Sequence, residues 1–241
     1  MTQFHETEWA DANNTQEYRE NADHYIPDRE QLYKVLTSYY RHFGRPGQSK
    51  RLLDLGCGDG VIAHQLLKLD HTLEVTLLDG SPDMLNSARS RLAEFSKLHF
   101  IQATFEDLLA GKIKLPHFDF VASAFAIHHL YMAEKAALFR QIHACLHEGG
   151  HFINIDTVLP VSPAYTDWYY DHWRETIRDR RIKLNLEENF EHVPQEARTK
   201  PENKLDSLAA QLDALKAAGF KDAACHYKHG LFTVYGGQKQ R

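Results

Sequence analysis

The run Leu52-Leu53-Asp54-Leu55-Gly56-Cys57-Gly58-Asp59-Gly60 is an apolar, strand-like stretch that opens into glycines at alternate positions. Such glycines let the backbone take left-handed dihedrals and let a ligand approach without Cβ obstruction. A helix starting behind the loop offers unpaired amide N–H groups to a carboxylate or phosphate. A second carboxylate, Asp79, closes the apolar run Val75-Thr76-Leu77-Leu78. There it can accept from both hydroxyls of a ribose, or merely help cap the next helix. Past a third apolar run comes Ser123-Ala124-Phe125-Ala126-Ile127-His128-His129-Leu130. Adjacent side chains at a strand end point different ways, so no shared metal is expected. One histidine packs while the other faces a site, or both are structural. His128 is the candidate general base, because a histidine titrating near about pH 6.5 suits proton abstraction from a hydroxyl or amine. His129 is the candidate for packing.

These residues need a scaffold that brings strand ends together. Strands are expected at Arg51–Leu55, Val75–Leu78, His99–Ile101, Phe118–Ser123 and His151–Asp156. Between them, Ile62/Leu66/Leu69, Leu85/Ala88/Leu92 and Leu138/Ile142/Cys145 each repeat on one helical face. Strand–helix alternation of this kind predicts an α/β fold, a Rossmann-like doubly wound, mostly parallel sheet. Ser81-Pro82 reads as an N-cap and first helical turn, and Glu148-Gly149-Gly150 as the end of the third helix. Leu205, Leu208, Leu212 and Leu215 mark a last helix, followed by strands at Asp222–Tyr227 and Leu231–Tyr235 around His229-Gly230. They predict an antiparallel C-terminal hairpin. Four segments follow: an N-terminal helical cap (1–46), the cofactor-binding core (47–157), a helical cap insertion (158–201) and a C-terminal helix and hairpin completing the core (202–241).

The Asp54-x-Gly56-x-Gly58-x-Gly60 arrangement resembles motif I of the class I S-adenosylmethionine-dependent methyltransferases, and Ser123…His128-His129-Leu130 is similar to a segment of their small-molecule members. The resemblance covers Arg51–Asp156, and more weakly Leu205–Lys239. It implies a seven-stranded sheet with S-adenosyl-L-methionine as cofactor. The loop with Asp54, Gly56, Cys57, Gly58 and Gly60 would approach the methionine part, and Asp79, Gly80 and Ser81 the ribose, with Met84 close to the adenine. In the family an acidic residue after the third strand accepts from the adenine amine; Thr104 holds that place here, beside Phe105. Ser123 and Ala124 would border the cofactor from the fourth strand, with His128 near the transferring methyl. Tyr25 and Arg29 are candidates to reach cofactor or substrate from the N-terminal side.

A net charge of −5 supplies no broad cationic field, so the expected partner is a small-molecule substrate rather than nucleic acid. No N-P-P-Y-like tetrad follows the fourth strand. Cys57, Cys145 and Cys225 lie far apart, without metal or disulfide spacing, and predict a reduced, cytoplasmic protein. No apolar run is long enough to cross a membrane; a homodimer is compatible with the sequence. The expected reaction is methyl transfer to an oxygen or nitrogen nucleophile. The competing readings are a nicotinamide-dependent oxidoreductase, disfavoured by Val61 at the third fingerprint position, and a non-catalytic cofactor-binding module. The aromatics Tyr18, Tyr25, Trp168, Tyr169, Tyr170 and Trp173 form either a substrate cage or the caps' own cores.

Overall fold

The computed structural model describes residues 4–48 and 50–240. In chain order it comprises α1 (Ala12–Tyr25), α2 (Arg29–Phe43), β1 (Arg51–Leu55), α3 (Val61–Leu69), β2 (Glu74–Asp79), α4 (Pro82–Arg91), β3 (Leu98–Gln102), α5 (Phe105–Leu109), β4 (Phe118–Ala124) and α6 (Met132–Cys145). There follow β5 (Leu146–Thr157), α7 (Thr166–Leu184), α8 (Val193–Thr199), α9 (Leu208–Ala217), β6 (Phe220–His229) and β7 (Phe232–Lys239), with short 3-10 turns between some of them.

One seven-stranded sheet runs β3-β2-β1-β4-β5-β7-β6, parallel except for β7, which pairs antiparallel with both β5 and β6. The order reverses at β1 and β4, and this switch point opens a crevice at the carboxyl ends of the strands. Successive strand residues face opposite layers. Leu52 joins a core with Leu36 and Tyr40 of α2, Leu66 of α3 and Ala88 of α4, whereas Leu53 and Leu55 join one with Leu138 and Phe139 of α6 and Leu215 of α9.

Two details depart from the sequence reading. α6 ends at Cys145 and β5 begins at once, so Glu148-Gly149-Gly150 lies inside the strand. The pairing shifts register between Phe118 and Phe120 there, and Gly149 takes φ +78°. The glycines serve a strand irregularity rather than a helix end. Leu205 precedes α9, whose N-cap is Ser207. α2 packs on α3 and on β5, β6 and β7, while α1 lies against α4 and α7 over the strand ends. Among the described residues no helix is long and apolar enough to cross a membrane.

Candidate active site

The loop after β1 is built by its backbone. The amides of Gly56 and Cys57 both donate to the Leu78 carbonyl, at 2.8 and 3.0 Å, which folds the loop over the end of β2. Gly56 has φ +66°, and a Cβ there would sit 2.5 Å from the Ala126 Cβ, so only glycine lets the β1 and β4 loops meet. Asp79 fastens the next turn: one carboxylate oxygen accepts from the Gly58 amide and the other from the Ser81 amide, both at 2.8 Å. Burial pushes the Asp79 carboxyl above its ordinary range. Asp54 is wholly buried and accepts from the Ala63 amide at the start of α3, at 3.0 Å, leaving its Oδ1 without a partner. Burial raises its pKa well above the carboxylate range, helped by the negative charges of Asp79 and Asp59. An orphaned acid of this kind awaits a donor or a positive charge.

These groups line a cavity of ≈ 1130 Å³, open mouth included, at the switch point. Of the sequence candidates, Asp54, Gly56, Cys57, Gly58, Asp79, Gly80, Ser81, Met84, Thr104, Phe105, Ala124 and Arg29 border it. Three do not. Gly60 faces α4, where a Cβ would meet Ala88 and Leu92 at 3.1 Å, so it serves helix packing. Ser123 is buried within the sheet and donates to the Leu55 carbonyl at 2.7 Å. Tyr25 lines a neighbouring cavity. Thr104 is the N-cap of α5, exchanging hydrogen bonds with Asp107 in a capping box. Its hydroxyl is therefore occupied, and Glu106 supplies the acid on that side of the cavity.

The expected N-terminal cap supplies a roof. Residues 4–18 cross over the cavity: the Phe4 ring covers Gly80, and Trp9 and Tyr18 line the wall. Arg29 is 8% exposed, lies against the Tyr18 and Tyr33 rings, and pairs with Asp23 at 2.6 Å while its Nε has no partner. The roof is fastened at Trp9, whose Nε1 donates to His129 Nε2 at 2.9 Å; His129 Nδ1 in turn donates to the Glu202 carbonyl at 3.2 Å. Burial, then the neighbouring His128, holds His129 well below the ordinary histidine range, so it stays neutral.

His128 lies on the other side of this wall, lining a second cavity of ≈ 1220 Å³. Its Nδ1 donates to Asp156 Oδ1 at 2.6 Å; Asp156 is wholly buried and the His128 side chain 11% exposed. Asp156 is itself held by the Thr157 amide at 2.9 Å and by Asn154 Nδ2 at 3.2 Å. Asn154 also donates to Tyr235 of β7 at 2.8 Å, and Tyr235 donates to Gln211 of α9. The chain of bonds fixes the imidazole with its proton on Nδ1, which leaves Nε2 as an acceptor. Trp9, Tyr18, Phe125 and His129 border both cavities. Phe125 is in the left-handed region at φ +53°, a costly conformation for a bulky residue at the wall between the two. Tyr18, Tyr25, Tyr170 and Trp173 line the second cavity, whereas Trp168 and Tyr169 do not. Among the described residues no group of three or more His, Cys, Asp or Glu is placed to hold a metal ion.

Residues 53–152 match a family model described as a methyltransferase domain. A carboxy-S-adenosyl-L-methionine synthase from Psychrobacter arcticus is 28% identical over 142 residues, 56% of this chain and 53% of that protein. An uncharacterized methyltransferase from Synechocystis is 31% identical over 115 residues, 48% of this chain and 50% of the relative. The chain thus spans about half the length of the curated relatives it matches. An O-methyltransferase family protein from Burkholderia thailandensis shares the fold with a TM-score of 0.67 at 15% identity, over 100% of this chain and 64% of that one. Residues 53–152 are thus similar to a methyltransferase domain, on a fold shared with S-adenosylmethionine-dependent methyltransferases.

Proposed function

We propose that the protein methylates an oxygen or nitrogen atom of a small molecule held in the second cavity. The observation that carries this reading is the His128–Asp156 pair, set beside the wall that both cavities share. The first cavity fits the cofactor: its Gly56 and Gly58 turns leave room for a ligand, and the buried, unpartnered Asp54 oxygen suits its cationic methionine end. Asp79 would take the ribose hydroxyls on the lone pairs left over from its two amide bonds, and Glu106 and Phe105 the adenine. Arg29 would face the cofactor carboxylate. When bound, the cofactor would supply an electrophilic methyl group to the acceptor atom, and His128 Nε2 would take the acceptor's proton.

The chain's own residues do the rest. Asp156 holds the imidazole in the tautomer that can receive that proton and steadies the imidazolium that results. The roof of residues 4–18 keeps water from the first cavity, and the aromatic lining keeps it from the second. His129 takes no part in proton transfer, because both ring nitrogens are engaged and burial disfavours its charge. The nicotinamide alternative is disfavoured by spacing, since Val61 stands where the dinucleotide fingerprint has its third glycine. Incubation with methyl-labelled cofactor and a metabolite extract, with mass analysis of the product, tests the reading. Label transfer that survives His128→Ala at full rate would remove the base assignment.

A further inference from the structure

The second cavity has a chemical bias of its own. Its inner wall is aromatic, with Phe125, Tyr170, Trp173, Phe190 and Phe232 around the His128 side chain. Its charged residues are three carboxylates and one lysine: Glu8, Glu17, Glu196 and Lys200. Lys200 is already committed to Glu8. Arg198, just outside, lies over the Tyr170 ring and is paired with Asp167 at 2.8 Å. Glu17 and Glu196 are exposed at the rim; Glu17 has no ion-pair partner among the described residues, and Glu196 has only His192 at 4.0 Å. An anionic ligand entering here meets like charge and no free cation. A flat ring bearing a positive charge meets aromatic faces and two available carboxylates.

From this we infer that the second cavity takes an aromatic alcohol or phenol carrying an ammonium group, with its hydroxyl toward His128 and its cation toward Glu17 and Glu196. The inference rests on the reading of this cavity as the methyl-acceptor site. It specifies what that reading leaves open, namely selection by charge. The ring fills the apolar wall and the cation remains at the wet rim. The carboxylates act there without full desolvation, so their contribution falls as salt rises.

Two probes with the same ring and opposite charge test it: dopamine and 3-(3,4-dihydroxyphenyl)propionate. Calorimetry on the protein saturated with S-adenosylhomocysteine, at low salt, should show dopamine binding at least about tenfold more tightly. The preference should shrink several-fold in the Glu17→Gln/Glu196→Gln double variant and at high salt. Unchanged affinity of that variant for S-adenosylhomocysteine would show that it is folded. Equal or tighter binding of the propionate, a preference that persists undiminished in the double variant, or binding of neither probe would each overturn the inference. The parent reading fails separately. Absent S-adenosylhomocysteine binding removes the cofactor assignment, and dopamine that binds without being methylated removes the transfer while the charge selection stands.

Discussion

Asp79 accepts from Gly58 with one oxygen and from Ser81 with the other, so it braces the loop as well as facing the cavity. Asp79→Ala should therefore weaken S-adenosylhomocysteine binding by calorimetry roughly tenfold to a hundredfold, the loss of about 1.5–3 kcal/mol expected for a charge-assisted hydrogen bond. Asp79→Asn should rescue little, because its single amide oxygen cannot serve both backbone donors. Unchanged affinity in the alanine variant would remove the ribose role. At His128 the effect should separate binding from turnover: His128→Ala should cut turnover about a hundredfold or more and leave cofactor affinity nearly intact. Asp156→Asn keeps the shape but can present an NH2 group to Nδ1, shifting the ring proton to Nε2. It should also lose turnover, by at least about tenfold, with KM little changed; an Asp156→Asn enzyme of normal turnover would show that the pair is only structural.

At the scale of elements, the roof is fastened by the Trp9–His129 latch and by the Glu8–Lys200 ion pair. Residues 4–25 and 163–199 should gain hydrogen-exchange protection when S-adenosylhomocysteine binds, and equal protection with and without it would exclude gating. The latch is pH-dependent in a definite sense. The folded pKa of His129 is depressed, so below about pH 6.5 the unfolded chain takes up the proton more readily than the folded one. The stability of the neutral latch is present above that pH and is lost as the pH falls. His151, pushed down to about 4 by burial, adds a loss of the same sign. The fall in Tm between pH 7.5 and 5.5 should therefore be smaller in His129→Gln than in the parent, though not absent; identical falls would contradict the latch.

Some of these elements were legible in the chain itself. The strand Arg51–Leu55 is buried on both faces because helices cover both, and Ser81-Pro82 caps α4 as its residue types require. Glu148-Gly149-Gly150 misled because glycines end helices and kink strands alike, and only the pairing with β4 distinguishes the two. Asp54, Asp79 and the glycines could be read because one continuous stretch of chain carries them. Trp9 and Asp156 could not: each meets its histidine only through packing of distant segments, 120 positions apart for Trp9 and His129. Gly60 fits the loop pattern yet serves packing against α4, a role that spacing alone does not reveal.

For the whole molecule, ligand binding and folding are coupled through the switch point, since the first cavity draws on the loops after β1, β2, β3 and β4. S-adenosylhomocysteine at a hundred times its Kd should stabilise the fold by about 2.7 kcal/mol, a rise of roughly 5–10 °C in Tm for a domain of this size, measured by scanning calorimetry. The absence of any shift would mean that the cavity does not bind it. Gly236 sits where β7 passes β5, and a Cβ there would lie 2.1 Å from the Phe152 carbonyl oxygen. Gly236→Val should accordingly destabilise the sheet by several kcal/mol, more than about 3, through overpacking and lost pairing.

β7 is the last strand in the chain, yet it is inserted between β5 and β6. A ribosome that has just released residue 157 has delivered every strand of the parallel half, with the glycine turns and Asp79 in place. At that moment β5 still has an open edge, and Asn154 lacks the Tyr235 hydroxyl that holds it beside Asp156. Such a nascent chain exposes a row of unpaired backbone groups inviting the wrong strand, a hazard of late-closing sheets. It carries the loops that line the first cavity before it carries the strand that steadies Asn154, and the eight-residue β7 completes the bond network behind His128.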